Sequence, residues 1–249
     1  MSVIQVTDLK KSYGGIRALS GCSMTFEDKA INGLIGPNGS GKTTLFNVIT
    51  GYETADSGRV SLRGRDITNA RPDSVFAQGV GRTFQITRIF PQLTVLQNVH
   101  VAAQRPGFAA QARGWDSAAE RERAMEVLDF VGLARLAPEI AGDLSYGQQK
   151  LLEFATITMA RPSVILLDEP AGGVNPGLLG HIADRIRALN SEGVTFIIVE
   201  HDMEFVMRLC DQVLVMRQGS ALTSGTPEQV RSDPAVLDAY LGTGPGKGH

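Results

Sequence analysis

Ala30-Ile31-Asn32-Gly33-Leu34-Ile35-Gly36-Pro37-Asn38-Gly39-Ser40-Gly41-Lys42-Thr43-Thr44 carries a short apolar run into a glycine-rich turn and then into a helix-forming segment. From Gly36 onward the residues fit the pattern G-x-x-x-x-G-K-[ST], and that spacing has a chemical purpose. Glycines let successive backbone N–H groups curl around phosphate oxygens, while the following helix turns its positive end toward the same anion. In such a loop Lys42 reaches the β- and γ-phosphates and the Thr43 hydroxyl meets Mg²⁺. The residues from Gly36 to Thr44 are therefore expected to bind a nucleoside triphosphate. The helix should begin near Lys42 and end at Gly51, a suitable C-terminal glycine.

A second apolar run, Val164-Ile165-Leu166-Leu167, ends in Asp168-Glu169-Pro170. Open α/β sheets bind ligands beyond the carboxyl ends of their strands, which is where this acid pair falls. Pro170 forces a turn, so the two carboxylates can face different parts of one site. Asp168 suits the Mg²⁺ sphere, reached through a water. Glu169 suits the attacking water, as its general base or as the group that orients it.

Around these two stretches the chain reads in three parts. Val3 to Leu9 alternates, and Leu19 to Phe26, Ala30 to Ile35 and Gly58 to Arg63 follow as further strands. From about Leu93 to Met159 the pattern is mainly helical, interrupted by Pro and Gly between Arg105 and Gly114. Within Ala118–Val131, the residues Met125, Leu128 and Val131 mark one buried stripe. The last third alternates again. Val164–Leu167 and Thr195–Val199 are continuous apolar strands of the kind buried on both faces of a parallel sheet. Helices over Gly177–Asn190 and Met203–Cys210 precede a final strand, Gln212–Met216. The expected class is α/β: a mostly parallel sheet around the phosphate loop, an N-terminal β subdomain and a helical insertion. One domain over 1–241 is expected, with a core of 1–92 and 160–241 and a helical part over about 93–159. Five of the eight residues from Gly242 to His249 are Gly or Pro, so that tail is expected to be flexible.

Composition narrows the function classes. The 249 residues hold 24 Lys+Arg against 26 Asp+Glu, a net charge of −2, which argues against a protein that coats nucleic-acid phosphates. Apolar residues make up 43% and charged residues 20%, the balance of a globular chain. No apolar run approaches the roughly 20 residues that span a bilayer, and the amino terminus lacks a secretion-signal layout. Cys22 and Cys210 stand alone, with no ligand spacing around them. A cytosolic chain is expected, and any work at a membrane would need spanning segments from another subunit.

The phosphate loop by itself leaves GTPases, nucleotide kinases, helicases and transport ATPases open. No Asn-Lys-x-Asp guanine reader occurs. Leu144-Ser145-Tyr146-Gly147-Gln148-Gln149-Lys150 lies ahead of the acid pair, with Ser145 placed 23 residues before Asp168. Together with it, the chain resembles the ATP-binding cassette (ABC) ATPases over about residues 3–241. Tyr13 matches the family's adenine-stacking aromatic, and Gln85, in Arg82-Thr83-Phe84-Gln85, its glutamine at the core–insertion boundary. Ser145 and Gly147, followed by Gln148, match the signature motif. Ala171-Gly172-Gly173-Val174-Asn175 stands where the family has its dimer-contact loop, and His201, in Val199-Glu200-His201-Asp202, matches the switch histidine. The resemblance implies ATP and Mg²⁺ as ligands. It puts Lys42, Gln85, Glu169 and His201 at the chemistry and Thr43, Gln85 and Asp168 at the metal. It also implies that the signature of one subunit closes over the ATP held by another, so that two chains sandwich two nucleotides. Asn175 departs from the usual Asp, keeping the hydrogen-bonding shape without the charge.

Leu-Ser-Tyr-Gly-Gln-Gln, Arg82 to Phe90 and Val199 to Met203 look like the ATPases of branched-chain amino-acid importers. That subfamily also holds importers of urea and short amides. Lipid or lipopolysaccharide export ATPases share the general layout, and soluble ABC proteins acting on nucleic acid or ribosomes form a different class. The importer resemblance implies a second ATPase subunit, identical or related, two transmembrane permease subunits and, indirectly, an extracytoplasmic solute-binding protein. No nucleic acid is expected, and the chain would lie on the inner face of the cell membrane. Ile89, Phe90, Leu93 and Leu96 follow Gln85. Exposed, they would form an apolar docking cleft for a permease helix; buried, they would be core of the helical part.

Overall fold

A computed structural model describes residues 1–84, 87–103 and 118–241. Its strands form two sheets. The first has the order β2-β1-β4-β5, built from β1 (Ser2–Tyr13), β2 (Ile16–Glu27), β4 (Ser57–Leu62) and β5 (Arg65–Asp66). All its pairings are antiparallel. The second has the order β10-β9-β3-β8-β7-β6. It comprises β3 (Ile31–Ile35), β6 (Val80–Arg82), β7 (Val164–Asp168), β8 (Thr195–Val199), β9 (Gln212–Arg217) and β10 (Ser220–Gly225). Only β10 runs antiparallel to its neighbour. The α/β class with a mostly parallel sheet and an antiparallel β part is as expected.

The central strands are apolar along their whole length because both faces are covered. On β7, Ile165 and Leu167 join one hydrophobic core while Val164 and Leu166 join another. Phe196 and Ile198 of β8 likewise face the first core, and Ile197 and Val199 the second. Side chains that alternate across a strand thus serve two layers at once. The second core is closed by the antiparallel sheet and by α1 (Lys42–Ile49), which buries Leu45, Phe46, Val48 and Ile49. The helix stops where expected, with Gly51 at φ +76°.

The first core is closed by helices. These are α3 (Val95–Val101), α4 (Ala118–Phe130), α5 (Tyr146–Met159), α6 (Pro176–Ser191) and α7 (Met203–Leu209), the last two flanking β8 in the chain. The buried stripe of α4 differs from the expected one. Ala124, Val127, Leu128 and Val131 are buried, whereas Met125 is half-buried. Spacings of three and four residues, rather than three alone, keep one face toward the core. A short helix, α2 (Pro72–Ala77), precedes β6, while α8 (Pro227–Ser232) and α9 (Pro234–Leu241) close the described chain. The Pro- and Gly-broken stretch and the C-terminal tail lie outside the described residues.

β1 and β2 each span 12 residues, well beyond the alternating stretches read from sequence. The pairing of β1 shifts register between Val6 and Leu9, with Asp8 at φ +45°, so the in–out alternation breaks while the strand continues. β10 has no strand signature in the sequence because Ser-Ala-Leu-Thr-Ser-Gly at a sheet edge has little apolar signal.

Candidate functional site

Parallel pairing brings the ends of three strands to one level. Leu34 of β3 pairs with Val199 of β8, and Val199 pairs with Asp168 of β7. The phosphate loop, the acid pair and the segment around His201 consequently emerge side by side.

The loop is shaped for a close approach. Gly36 has φ +152°, and a Cβ there would collide with the Met216 carbonyl. Gly41 has φ +101°, and its Cβ would come within 2.6 Å of the Ala18 carbonyl. α1 starts at Lys42 with no side-chain cap and no acid in its first turn, so its leading N–H groups suit an anion. Lys42 Nζ donates to the Gly36 carbonyl at 2.7 Å and to Pro37 O at 3.1 Å. Burial lowers the Lys42 pKa, against the charges of Glu169 and Asp168, which raise it. Thr43 is exposed and Thr44 half-buried beside it.

Asp168 is buried and paired with Arg82, whose Nη2 lies 2.9 Å from Oδ2. The same guanidinium donates to Asn47 Oδ1 at 2.8 Å and Thr50 Oγ1 at 3.0 Å, so Arg82 ties β6 and α1 to the acid. Burial, the largest influence, pushes the Asp168 carboxyl above its ordinary range, against the hydrogen bond and charge of Arg82.

Glu169 adopts φ +50°, a conformation costing on the order of 1–2 kcal/mol for a residue with a Cβ. Its N–H donates to Val199 O at 2.9 Å, and its carbonyl accepts from Lys150 Nζ and from the Gly172 N–H, both at 3.1 Å. His201 is the exposed edge of the group. Its Nδ1 lies 3.9 Å from Glu169 Oε1 and 3.8 Å from Glu200 Oε2. Glu200 is fully buried and accepts three N–H groups: Ala171 at 2.6 Å, His201 at 3.0 Å and Asp202 at 3.3 Å. Burial is the main influence on its pKa and raises it; the three N–H groups oppose that. Glu200 thereby staples the turn after Glu169 to the turn that carries His201.

Ser145 caps α5 in a capping box. Its Oγ accepts the Gln148 N–H at 3.4 Å, and Gln148 Oε1 accepts the Ser145 N–H at 2.9 Å. Both side chains, expected to face a nucleotide, are engaged within this chain, each by the backbone N–H of the other residue. Gly147 lies against Leu178, where a Cβ would overlap the leucine side chain. The Tyr146 ring covers Gly173, itself at φ +71°. The signature turn therefore packs on the segment from Ala171 to Asn175. Asn175 caps α6, its Oδ1 accepting the Leu178 N–H at 2.9 Å. That role needs an acceptor and no charge, which accounts locally for Asn in place of Asp.

Tyr13 ends β1, partly exposed, with Lys11 Nζ 5.2 Å from its ring centre. Gln85 lies outside the described residues. Its neighbours are anchored: the N–H groups of Phe84 and Arg88 both donate to Glu153 Oε1 at 3.2 Å. Of the four apolar residues beyond it, Phe90 is 53% exposed while its backbone is gripped by Asn98. Leu93 and Leu96 are half-buried on a groove of about 380 Å³, and Ile89 packs against the core. The segment is thus divided between surface and core.

Arg82, Glu200, Lys150 and Glu153 were not singled out from sequence. A lone charged residue inside or just beyond a strand or helix has no local mark of burial, and only the packing around it reveals its role.

No group of three or more His, Cys, Asp or Glu residues among the described residues makes a metal site of its own. Mg²⁺ carried with a nucleotide keeps phosphate and water ligands and needs only one or two protein oxygens. The hard donors at Thr43 and Asp168 fit that demand.

A phosphate loop on the middle strand of a mostly parallel sheet, with an acid pair and a histidine on the adjoining strand ends, defines a nucleotide-hydrolysing cassette. Comparison with known proteins specifies which. A family model described as ABC transporter matches residues 19–172, and one described as branched-chain amino acid ATP-binding cassette transporter matches residues 222–245. The high-affinity branched-chain amino acid transport ATP-binding protein BraF of Pseudomonas aeruginosa is 40% identical, over 96% of this chain and 98% of its own. A solved ADP conformation of an ATP-binding cassette of an ABC transporter superposes with a TM-score of 0.86 at 36% identity, covering 97% of this chain and 99% of that one. A dimeric bacterial ABC transporter cassette superposes with a TM-score of 0.78 at 26% identity, covering 90% and 98%. The chain belongs to the ABC transporter ATP-binding proteins; it binds ATP and is an ATPase. Among the described residues no helix is long and apolar enough to cross a membrane.

Proposed function

We propose that this chain powers a membrane importer of branched-chain amino acids by hydrolysing ATP on the cytoplasmic face. The observation that carries the chemistry is the convergence of Lys42, Asp168, Glu169 and His201 at neighbouring strand ends. The solute class rests on the full-length likeness to BraF and on the match at residues 222–245.

In this reading Tyr13 stacks on adenine, and the amides from Gly36 to Thr44 with Lys42 grip the phosphates. Thr43, Gln85 and Asp168 hold Mg²⁺, which neutralises charge on the phosphate oxygens when bound. Glu169 takes a proton from the attacking water or aligns it, and His201 meets the γ-phosphate beside it. Ser145, Gly147 and Gln148 close over the nucleotide of a second ATPase subunit, identical or related. Two permease subunits receive the stroke, with Phe90 and the groove at Leu93 and Leu96 as their docking surface. A solute-binding protein outside the membrane acts at one remove. In domain terms, 1–92 and 160–241 form the nucleotide-binding core and about 93–159 the helical part.

Uptake of labelled leucine and labelled urea in a strain deleted for this chain, with and without a plasmid copy, tests the assignment. Leucine uptake should vanish and return with the wild-type copy but not with Lys42→Ala. Loss of urea uptake with leucine uptake intact would overturn the solute class.

A further inference from the structure

Lys150 is a buried cation on the helix that Ser145 opens. Lysines are seldom buried unless something specific occupies the ammonium. Here Nζ donates to the backbone carbonyl of Glu169 at 3.1 Å and lies 5.6 Å from the Tyr146 ring centre. It reaches across from α5 to the end of β7, 19 residues along the chain.

The Glu169 backbone is in the left-handed region, where a small rotation redirects Cβ and with it the carboxylate. Two bonds fix that rotation from opposite sides. The Glu169 N–H is held by Val199 at the end of β8, and the Glu169 carbonyl is held by Lys150. The Gly172 N–H shares the carbonyl, but it belongs to the same turn and moves with it. Lys150 is the tie from α5. One turn further along that helix, Glu153 accepts the N–H groups of Phe84 and Arg88. The helix therefore grips the end of β7 and the chain segment after β6 with side chains three residues apart, which lie on one face.

We propose that Lys150 is a positioning residue for hydrolysis: its bond to the Glu169 carbonyl fixes the turn that aims the Glu169 carboxylate and ties that aim to the signature helix. This rests on the reading of Glu169 as the group that handles the attacking water. The Lys150 Nζ donor is spent on a backbone carbonyl. Its bond acts through the backbone of Glu169, so its loss alters turnover and leaves ATP affinity alone.

The test compares Lys150→Met, which keeps the stem without the donor, with Lys150→Arg, which restores a donor, in the full chain. For Met, kcat is expected to fall about ten- to a hundredfold, the scale of a sub-ångström to 1 Å misplacement. KM and the ATP Kd by calorimetry should stay within about twofold, because phosphate binding belongs to Lys42 and the loop amides. Arg should return kcat to within about threefold of wild type, since a single donor to a carbonyl is all the site asks. A lysine that served only packing would lower thermal stability in both variants with no such split and no rescue. Should Met not fold, Lys150→Gln, polar but too short to reach the carbonyl, is held to the same kcat and KM limits. A wild-type kcat in the donorless variant, or an Arg variant as slow as it, would overturn the proposal. Glu169→Gln measured alongside separates the two claims. If that variant turns over normally, the reading of Glu169 fails. If it is inactive while the donorless Lys150 variant is normal, only the role of Lys150 fails.

Discussion

Arg82 and Asp168 form an ion pair at 2.9 Å in which both side chains are 6% exposed. The pair joins the last residue of β6 to the last residue of β7, and Arg82 also reaches α1 through Asn47 and Thr50. Aromatic rings from Phe46, Tyr52 and Phe84 surround the guanidinium at 5.1–5.8 Å. Removing the cation would strand a buried carboxylate, which typically costs about 3–5 kcal/mol. Arg82→Met should therefore lower the free energy of unfolding by about that much in urea. Adding Asp168→Asn should recover part of the loss, because the stranded charge goes with it. An Arg82→Met variant as stable as wild type would show that the pair is solvated rather than buried.

Glu153 gives the fold a pH dependence. Burial pushes its carboxyl from the ordinary 4.5 up to about 7, against the N–H groups of Arg88 and Phe84 and the charge of Lys150. A carboxyl whose folded pKa lies above its unfolded one holds more protons when folded. Its stabilising share is complete below pH 4.5 and fades as pH rises through 7. Glu153→Gln does not titrate, so its stability relative to wild type should improve between pH 5 and pH 8. The full swing is of the order of 3 kcal/mol. Melting curves at both pH values measure it, and a constant difference would place the Glu153 titration elsewhere.

Phe90 offers a separation of folding from assembly. Its ring is exposed while its N–H and carbonyl are held by Asn98, so the backbone does not depend on the ring. Phe90→Asp should change stability by about 0.5 kcal/mol or less. Recovery with membranes that contain the permease should drop sharply. Gross unfolding would return Phe90 to the core, and unchanged recovery would move the docking surface elsewhere.

How far the sequence revealed this arrangement depended on whether a feature was local. The phosphate loop is contiguous, and its glycines are demanded by backbone contacts at Gly36 and Gly41. Asp168, Glu169 and His201 were legible because each sits at the end of a continuous apolar strand, a pattern that marks a doubly covered parallel sheet. The braces behind them were not. Glu200 was quoted only as part of a motif, yet it binds three backbone amides out of contact with solvent. Lys150 and Glu153 sit at helical positions where a charged residue ordinarily faces water, and only tertiary packing turns them inward. The Ser145 signature also has a local role legible from a Ser ahead of a helix, a capping box shared with Gln148. The long antiparallel strands run past their alternating stretches because a bulge at Asp8 resets which side chains point inward.

Hydrolysis at the end of β7 is tested most directly by single-turnover ATP cleavage in purified Glu169→Gln protein, with ATP binding measured on the same sample. The amide cannot accept the proton of water, so cleavage should slow by about a hundredfold or more while ATP binds as tightly as to wild type. Cleavage near the wild-type rate in protein that binds ATP normally would remove Glu169 from the chemistry.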